Sequence, residues 1–203
     1  MTTGLRSRDS YIYRWEGLRE IRNSPDWVEH ILTLEVESPG GERFDYSNLS
    51  SFLLAEIIRS KTGKDVSVYA EEMLFNPLGI DEYYWETNSR GQSLGWGGLY
   101  MKPSDLLKIG QLILTKGEWQ GVQLVSASWI EESVKTHIKA GTLGDYYGYQ
   151  WWIVEEERIL ALGYKGQYLI IDPEAMMVTV FTARLEEEDF FLPYNLYMEF
   201  IVP

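Results

Sequence analysis

The 203-residue chain contains no cysteine. That excludes a disulfide framework, a thiol nucleophile and thiolate metal sites, and says little about compartment. Histidine is nearly as scarce. Only His30 and His137 occur, far apart, and neither has a His-x-x-x-His partner. A histidine-built zinc site and a Ser-His-Asp triad are both argued against, and no metal or other cofactor is expected. Each histidine falls in a helix-like segment and is expected to serve the surface or the core. Positive charge is in deficit, with 18 Lys and Arg against 31 Asp and Glu, a formal net charge of -13. Such a field repels nucleic-acid phosphates and anionic membrane surfaces, so no nucleic-acid partner is expected. No apolar run approaches the ~20 residues of a membrane span. The opening Met1 to Arg6 lacks the apolar centre of a signal peptide.

Apolar side chains are plentiful, at 45%, with eight tryptophans and fourteen tyrosines. This is enough for a substantial core or an aromatic-lined groove. The acidic clusters Glu155-Glu156-Glu157 and Glu186-Glu187-Glu188-Asp189 read as solvated turns.

The first two-thirds of the chain reads as mainly helical. Ser24-Pro25-Asp26-Trp27 predicts a helix start with Ser24 as cap and Pro25 at the first helical position, carrying Trp27, Ile31 and Leu34. Phe44 to Tyr46 reads as short and extended. From Asn48 the positions Leu49, Phe52, Leu53, Ile57 and Ile58 trace one helical face, ended by Lys61-Thr62-Gly63. A short helix is expected over about Val66 to Leu74. Pro103 opens another, carried by Leu106, Leu107, Ile109, Gly110 and Ile113. Ser126 caps the next, with Trp129, Ile130 and Val134. Lys116 to Gly121 reads as a hairpin or tight loop. After Gly141 the runs Tyr149 to Val154, Tyr168 to Ile171 and Met177 to Phe181 predict antiparallel strands, with a turn at Asp172-Pro173-Glu174-Ala175. Tyr194 to Ile201 predicts a terminal helix offering Leu196, Tyr197, Phe200 and Ile201 to the sheet. The class is α+β: a helical portion over 1–140, then an antiparallel sheet with a C-terminal helix over 141–203.

Four strings then stand in order: Thr2-Thr3-Gly4-Leu5; Tyr46-Ser47-Asn48; Gly97-Gly98-Leu99-Tyr100 with Pro103-Ser104-Asp105-Leu106; and Gly163-Tyr164-Lys165-Gly166-Gln167. In these the chain resembles the serine β-lactamase, penicillin-binding protein and esterase superfamily, closest to its class C β-lactamase-like branch. The resemblance runs across nearly the whole chain and implies a β-lactamase/transpeptidase-like fold, with both portions forming one unit. It also implies acyl transfer to water on an ester, amide or peptide, with a small-molecule or peptide as substrate. The family acylates a serine in a Ser-x-x-Lys helix, where the lysine lies one turn on and so on the same face. Tyr46 and Asn48 are then the catalytic contributors. A phenol with a pKa of about 10 acts as a base near neutrality only beside a cation, which the family's lysine supplies. The Asn48 amide is placed to donate to a substrate carbonyl and to accept from that lysine. Tyr164, Lys165, Gly166 and Gln167 line the substrate groove, with the Gln167 N–H as one oxyanion donor.

Two departures from the family pattern follow. Tyr164 stands where β-lactamases have lysine, which argues against efficient β-lactamase action and toward an esterase-like or peptidase-like relative. Strand alternation is expected to point Lys165 away from the groove. The second departure is larger: no Ser-x-x-Lys occurs in the chain. Thr136-His137-Ile138-Lys139 is the nearest form and lies on the wrong side of Tyr46. The nucleophile segment and first strands are expected upstream of Thr2, and this chain alone is expected to be inactive. The alternatives are a non-catalytic binding module of the same fold, or one chain of a split enzyme.

The simpler readings are a strand end and helix cap for Tyr46-Ser47-Asn48, with Ser47 or Asn48 as cap, and a hairpin edge for Tyr164 to Gln167. Ser50 and Ser51 read as first-turn helix residues. Trp96, Trp151 and Trp152 are candidates for either groove or core. Missing strands are expected to leave an unpaired sheet edge and an uncovered apolar face, and so to favour self-association.

Overall fold

The computed structural model describes residues 1–10, 15–141, 144–155, 157–186 and 189–202. The chain divides into two compact units, Met1–Tyr100 and Met101–Pro203.

In the first unit, residues 1–9 run extended along residues 35–45. The strand-like contacts include a bridge between Leu5 and Val36 and the bond from the Glu37 N–H to the Gly4 carbonyl, 2.8 Å. Gly4 has φ +73°, and a Cβ there would sit 2.0 Å from the Ser38 carbonyl oxygen, so only glycine permits the approach. Helix α1 (Glu16–Arg22) has no counterpart in the sequence reading. Helix α2 (Trp27–Leu32) is capped by Asp26, whose side chain accepts from the Glu29 N–H, rather than by Ser24. Pro25 therefore precedes the helix, and Leu34 lies beyond its end.

Helix α3 (Asn48–Thr62) starts and stops where its sequence signals place it, with Gly63 left-handed at its C-terminus. Its buried face differs from the expected one. Leu49, Phe52, Ala55 and Glu56 are inside, whereas Ile57 is 55% exposed. Glu56 is buried because the Arg59 guanidinium and the Gln92 amide hold its carboxylate. The core of this unit joins Ile21, Trp27, Ile31, Leu49, Phe52 and Leu94. Trp96 stacks on Trp27 at 5.4 Å and meets Phe52 edge-on at 5.9 Å, which makes it a packing residue. Helix α4 (Val66–Ala70) continues through a π-helical turn (Glu71–Phe75) into α5 (Asn76–Leu78), past the expected end at Leu74. Strand β1 (Tyr83–Trp85) pairs with β2 (Leu99–Met101).

The second unit is built on helix α6 (Pro103–Leu114), the hairpin β3 (Glu118–Trp119) and β4 (Val122–Gln123), helix α7 (Ala127–Ser133), and a six-stranded antiparallel sheet. The sheet strands are β5 (Ile138–Lys139), β6 (Tyr146–Tyr147), β7 (Trp152–Val154), β8 (Arg158–Gly163), β9 (Gln167–Asp172) and β10 (Met177–Phe181). Their order is β10-β9-β8-β7-β6-β5, so β10 and β5 are the edges. Helices α6 and α7 belong to the same compact unit as the sheet.

Strand β9 is buried on both faces. Leu169 and Ile171 join Ile153 and Ile159 in a core that Leu106 and Ile113 of α6 pack against. On α6, Gly110 lets the helix lie close, since a Cβ there would meet Val178 Cγ1 at 2.4 Å and Leu169 Cδ1 at 2.8 Å. Leu107, expected inside, is 38% exposed. On α7 the Ser126 cap holds, Ile130 is buried, and Trp129 turns outward, its ring tilted at 43° to that of Tyr149 with centres 5.6 Å apart. Trp152 is buried edge-on to Tyr147, and Trp151 packs against the sheet core. Helix α8 (Leu192–Phe200) buries Pro193 and Tyr197, while Leu196, Phe200 and the following Ile201 are exposed, contrary to expectation.

Glu155, Glu157, Glu186 and Asp189 are exposed as expected, and Glu156, Glu187 and Glu188 lie outside the described residues. No helix among the described residues is long and apolar enough to cross a membrane.

Candidate active site

The Tyr46-Ser47-Asn48 string forms a corner at the start of α3. Ser47 has extended backbone and is the N-cap, its Oγ accepting from the Ser50 N–H at 3.1 Å. The same hydroxyl donates to Asp9 Oδ2 at 3.2 Å. Asp9 is fully buried, and its carboxylate also accepts from the Leu49 N–H at 2.6 Å and the Ser7 hydroxyl at 2.9 Å. The Asn48 amide donates to the Asp9 carbonyl oxygen at 2.9 Å. Among the described residues, one amide hydrogen and the amide oxygen of Asn48 take no other hydrogen bond. Thr3 and Ser50 share a hydroxyl contact of 3.3 Å at the same helix start.

The electrostatics oppose an ionised Tyr46. Burial first, and then the Asp9 carboxylate, push its phenol above the ordinary value. Burial likewise pushes the Asp9 carboxyl up, against the hydrogen bonds from Leu49, Ser7 and Ser47. The corner as it stands favours the neutral phenol.

Asp9 is the residue that the sequence reading missed. Ser7-Arg8-Asp9-Ser10 has no periodicity, glycine or motif spacing to mark it. Its importance comes from contacts across 38 to 40 residues.

Tyr164, Lys165, Gly166 and Gln167 fall in the second unit. Gly163 pairs with Gln167 across β8 and β9, so Tyr164-Lys165-Gly166 is a three-residue turn. Lys165 and Gly166 have φ of 62° and 88°. Strand alternation therefore does not apply to Lys165. Its ammonium lies 5.5 Å from the centre of the exposed Tyr164 ring, in cation–π range. The turn is braced from behind: the Leu185 N–H donates to the Lys165 carbonyl at 3.0 Å, and the Gln167 amide donates to the Ala183 carbonyl. Strands β8 and β9 are interior to the sheet, so the motif sits at a strand-end turn and not on an edge strand.

The remaining candidates do not assemble a nucleophile. Thr136 precedes β5, and Lys139 is on that strand, so the pair does not share a helical face. His137 is not helical either. It stacks on Tyr149 with ring centres 4.3 Å apart. His30 lies on α2, as expected. Ser50 and Ser51 are buried first-turn residues of α3. Among the described residues no cluster of three His, Cys, Asp or Glu side chains is placed to hold a metal ion.

Helices packed against an antiparallel sheet, in this chain order, are the architecture of the β-lactamase/transpeptidase class. The β-lactamase family profile matches residues 1–198, and the chain belongs to that family. It is 28% identical over 167 residues to a 6-aminohexanoate-dimer hydrolase of Paenarthrobacter ureafaciens, covering 76% of this chain and 42% of that protein. It is similar to a solved Bacillus anthracis structure proposed to be a 6-aminohexanoate-dimer hydrolase. There the TM-score is 0.74 and the identity 30%, over 86% of this chain and 47% of that one. A Bacillus halodurans penicillin-binding protein shares the fold at TM-score 0.72 and 17% identity, over 96% of this chain and 69% of that one. The chain thus spans less than half the length of the two hydrolase relatives.

Proposed function

We propose that these 203 residues are the C-terminal portion of a serine hydrolase that transfers an acyl group to water from an ester, amide or peptide. In this reading the helical and sheet portions form one β-lactamase-like unit. The nucleophile is a serine of a Ser-x-x-Lys segment outside these residues, since none occurs within them. The observation that carries the reading is the Tyr46/Asn48 corner, built at a capped helix start in a chain that matches the family over residues 1–198.

The proposed chemistry runs in two halves. The serine Oγ attacks the substrate carbonyl as its proton passes toward Tyr46 or the lysine. The tetrahedral oxyanion is held by the Gln167 N–H and by the nucleophile's own N–H. The leaving group takes a proton and departs, leaving an acyl-serine. Water then attacks that ester and releases the acid. Tyr46 needs a cation to serve as base, because burial and Asp9 both favour its neutral form. Tyr164 in place of a lysine favours a substrate other than a β-lactam. The name of the Paenarthrobacter relative makes 6-aminohexanoate dimer, an amide, the first substrate to try.

The test has two arms. A serine-reactive phosphonate and a fluorescent penicillin are applied to the 203-residue chain, which is expected to stay unlabelled. The chain is then joined to the Ser-x-x-Lys segment read from the DNA upstream of Met1, and release of amine from 6-aminohexanoate dimer is measured. Stoichiometric labelling of the 203-residue chain alone would overturn the placement of the nucleophile. The alternative of a non-catalytic binding module rests on the absence of Ser-x-x-Lys, and an upstream in-frame motif would remove it.

A further inference from the structure

We infer that Asp9 is the positioning residue of the candidate corner: its carboxylate anchors the first turn of α3, and its own carbonyl holds the Asn48 amide. This rests on the reading of Tyr46 and Asn48 as site residues. Four polar groups converge on this one residue. Ser7 Oγ, Ser47 Oγ and the Leu49 N–H reach the carboxylate, and Asn48 Nδ2 reaches the carbonyl.

A helix cap alone does not account for the arrangement. Ser47 already caps α3 by accepting from Ser50, and one such acceptor is what an N-terminus ordinarily has. Asp9 adds a second, non-local anchor, at the cost of burying a carboxylate completely. A negative charge at a helix N-terminus is itself stabilising, but complete burial of the carboxylate is more than a cap requires. What the charge adds is control over residues 46 to 49. It fixes the helix start from two sides, through Ser47 and Leu49. Beside it, the Asp9 backbone carbonyl accepts from the Asn48 side-chain amide. The charge also stands close enough to Tyr46 to disfavour the phenolate. Asp9 therefore acts on both candidate groups, on the Asn48 amide through its backbone carbonyl and on Tyr46 through its charge.

Two substitutions separate the geometry from the charge. Asp9→Asn keeps the shape. Its amide oxygen can accept from Leu49 and Ser47, and its NH2 can donate to Ser7, whose hydroxyl reverses. Ser7→Ala keeps the charge and loosens one of its supports. Both are made in the 203-residue chain, with tyrosine ring carbons labelled for NMR and Tyr46 assigned by its loss in Tyr46→Phe. Of the other charges near the corner, Arg8 pairs with Glu16 at 3.9 Å and Asp45 with Arg43 at 3.7 Å, and burial holds the ammonium of Met1, a residue bonded to Ser47 and Asp45, below its ordinary pKa; all are constant between variants.

In Asp9→Asn the Tyr46 titration moves down toward the ordinary phenol value. The Leu49 amide exchanges about tenfold faster, as expected when a charge-assisted bond becomes a neutral one. In Ser7→Ala the Tyr46 titration stays in place, while the Asn48 side-chain amide loses protection. A folded Asp9→Asn with unchanged Tyr46 titration and unchanged Leu49 exchange overturns the inference. If Asp9→Asn does not fold, unchanged Asn48 protection in Ser7→Ala overturns it. The site reading fails separately: kcat unchanged by Tyr46→Phe in the active hydrolase would remove it and leave the NMR result standing.

Discussion

Replacing Asp172 by alanine should destabilise the second unit by about 3 kcal/mol, the lower end of the 3–5 kcal/mol typical of breaking a buried ion pair from one side. Asp172 closes β9 and is 2% exposed. Its Oδ2 accepts from Arg158 Nε at 2.7 Å and from the Tyr197 hydroxyl at 2.9 Å, and its Oδ1 accepts from the Ala175 N–H at 2.9 Å. One carboxylate thus joins strand β8, helix α8 and the β9–β10 turn. Alanine removes all three bonds and leaves a guanidinium that is 12% exposed. The figure stays at the lower end because Arg158 keeps Glu155, an exposed partner. Tyr197→Phe removes one bond to a charged acceptor and should cost about 1.5–3 kcal/mol. The double variant should cost less than the sum, because the two groups share a bond. The assay is urea denaturation followed by far-UV circular dichroism.

A pH dependence follows with a definite sign. Burial works against the Asp172 carboxylate, but the Ala175 N–H, Arg158 and Tyr197 outweigh it and hold it below the ordinary carboxylate range. Below about pH 4 the unfolded chain binds a proton at this position that the folded chain does not. Stability from Asp172 is therefore complete above that pH and is lost as pH falls through the folded value. Asp172→Asn should flatten this acid limb. A loss below about 1 kcal/mol in Asp172→Ala, with the denaturant slope unchanged, would refute the reasoning.

Other outcomes are equally open to measurement. Gly110→Ala should lower the melting temperature, although alanine gains about 1 kcal/mol in helix propensity, because overlap with Val178 Cγ1 at 2.4 Å outweighs it; a rise would refute the packing argument. Gly166→Val should cost about 1–3 kcal/mol, since φ is +88° and the new Cβ meets Leu185 Cδ1 at 2.7 Å; an unchanged thermal midpoint would count against a fixed turn. Light scattering should find the isolated chain self-associated, through the β10 edge or the outward Leu192, Leu196 and Phe200 of α8; a clean, stable monomer would count against this.

Elements with local signatures were legible in the sequence. The Gly63 stop of α3, the Ser126 cap of α7, the turn after Asp172 and strands β9 and β10 all follow from local chemistry, whereas β8 has no counterpart in the sequence reading. Faces were less legible, because tertiary partners decide them. Glu56 is buried by Arg59 and Gln92, whereas the more apolar Ile57 is exposed. Asp26 displaced Ser24 as cap because a cap is chosen by where the backbone turns extended, and Pro25 does not fix that point. The π-helical turn and the long-range role of Asp9 leave no trace in composition or spacing. The Tyr46-Ser47-Asn48 string was visible, but only the fold shows that its amide and its cap share one carboxyl-bearing neighbour.

The distance in sequence between Asp9 and α3 also orders events in folding. A fifteen-residue helix can form within about a microsecond, but alone it is marginally stable. Its anchor is 38 to 40 residues away. Closing a loop of that size costs on the order of 3 kcal/mol before any contact repays it. Residues 46 to 49 are therefore expected to become ordered only when residues 1–9 dock, however much of the helix precedes that step. The same sequence run backwards makes this corner an early place for the native protein to open. Any ligand that needs Tyr46 and Asn48 in place will, by binding, slow that opening and hold the first strand-like segment of the chain against the helix.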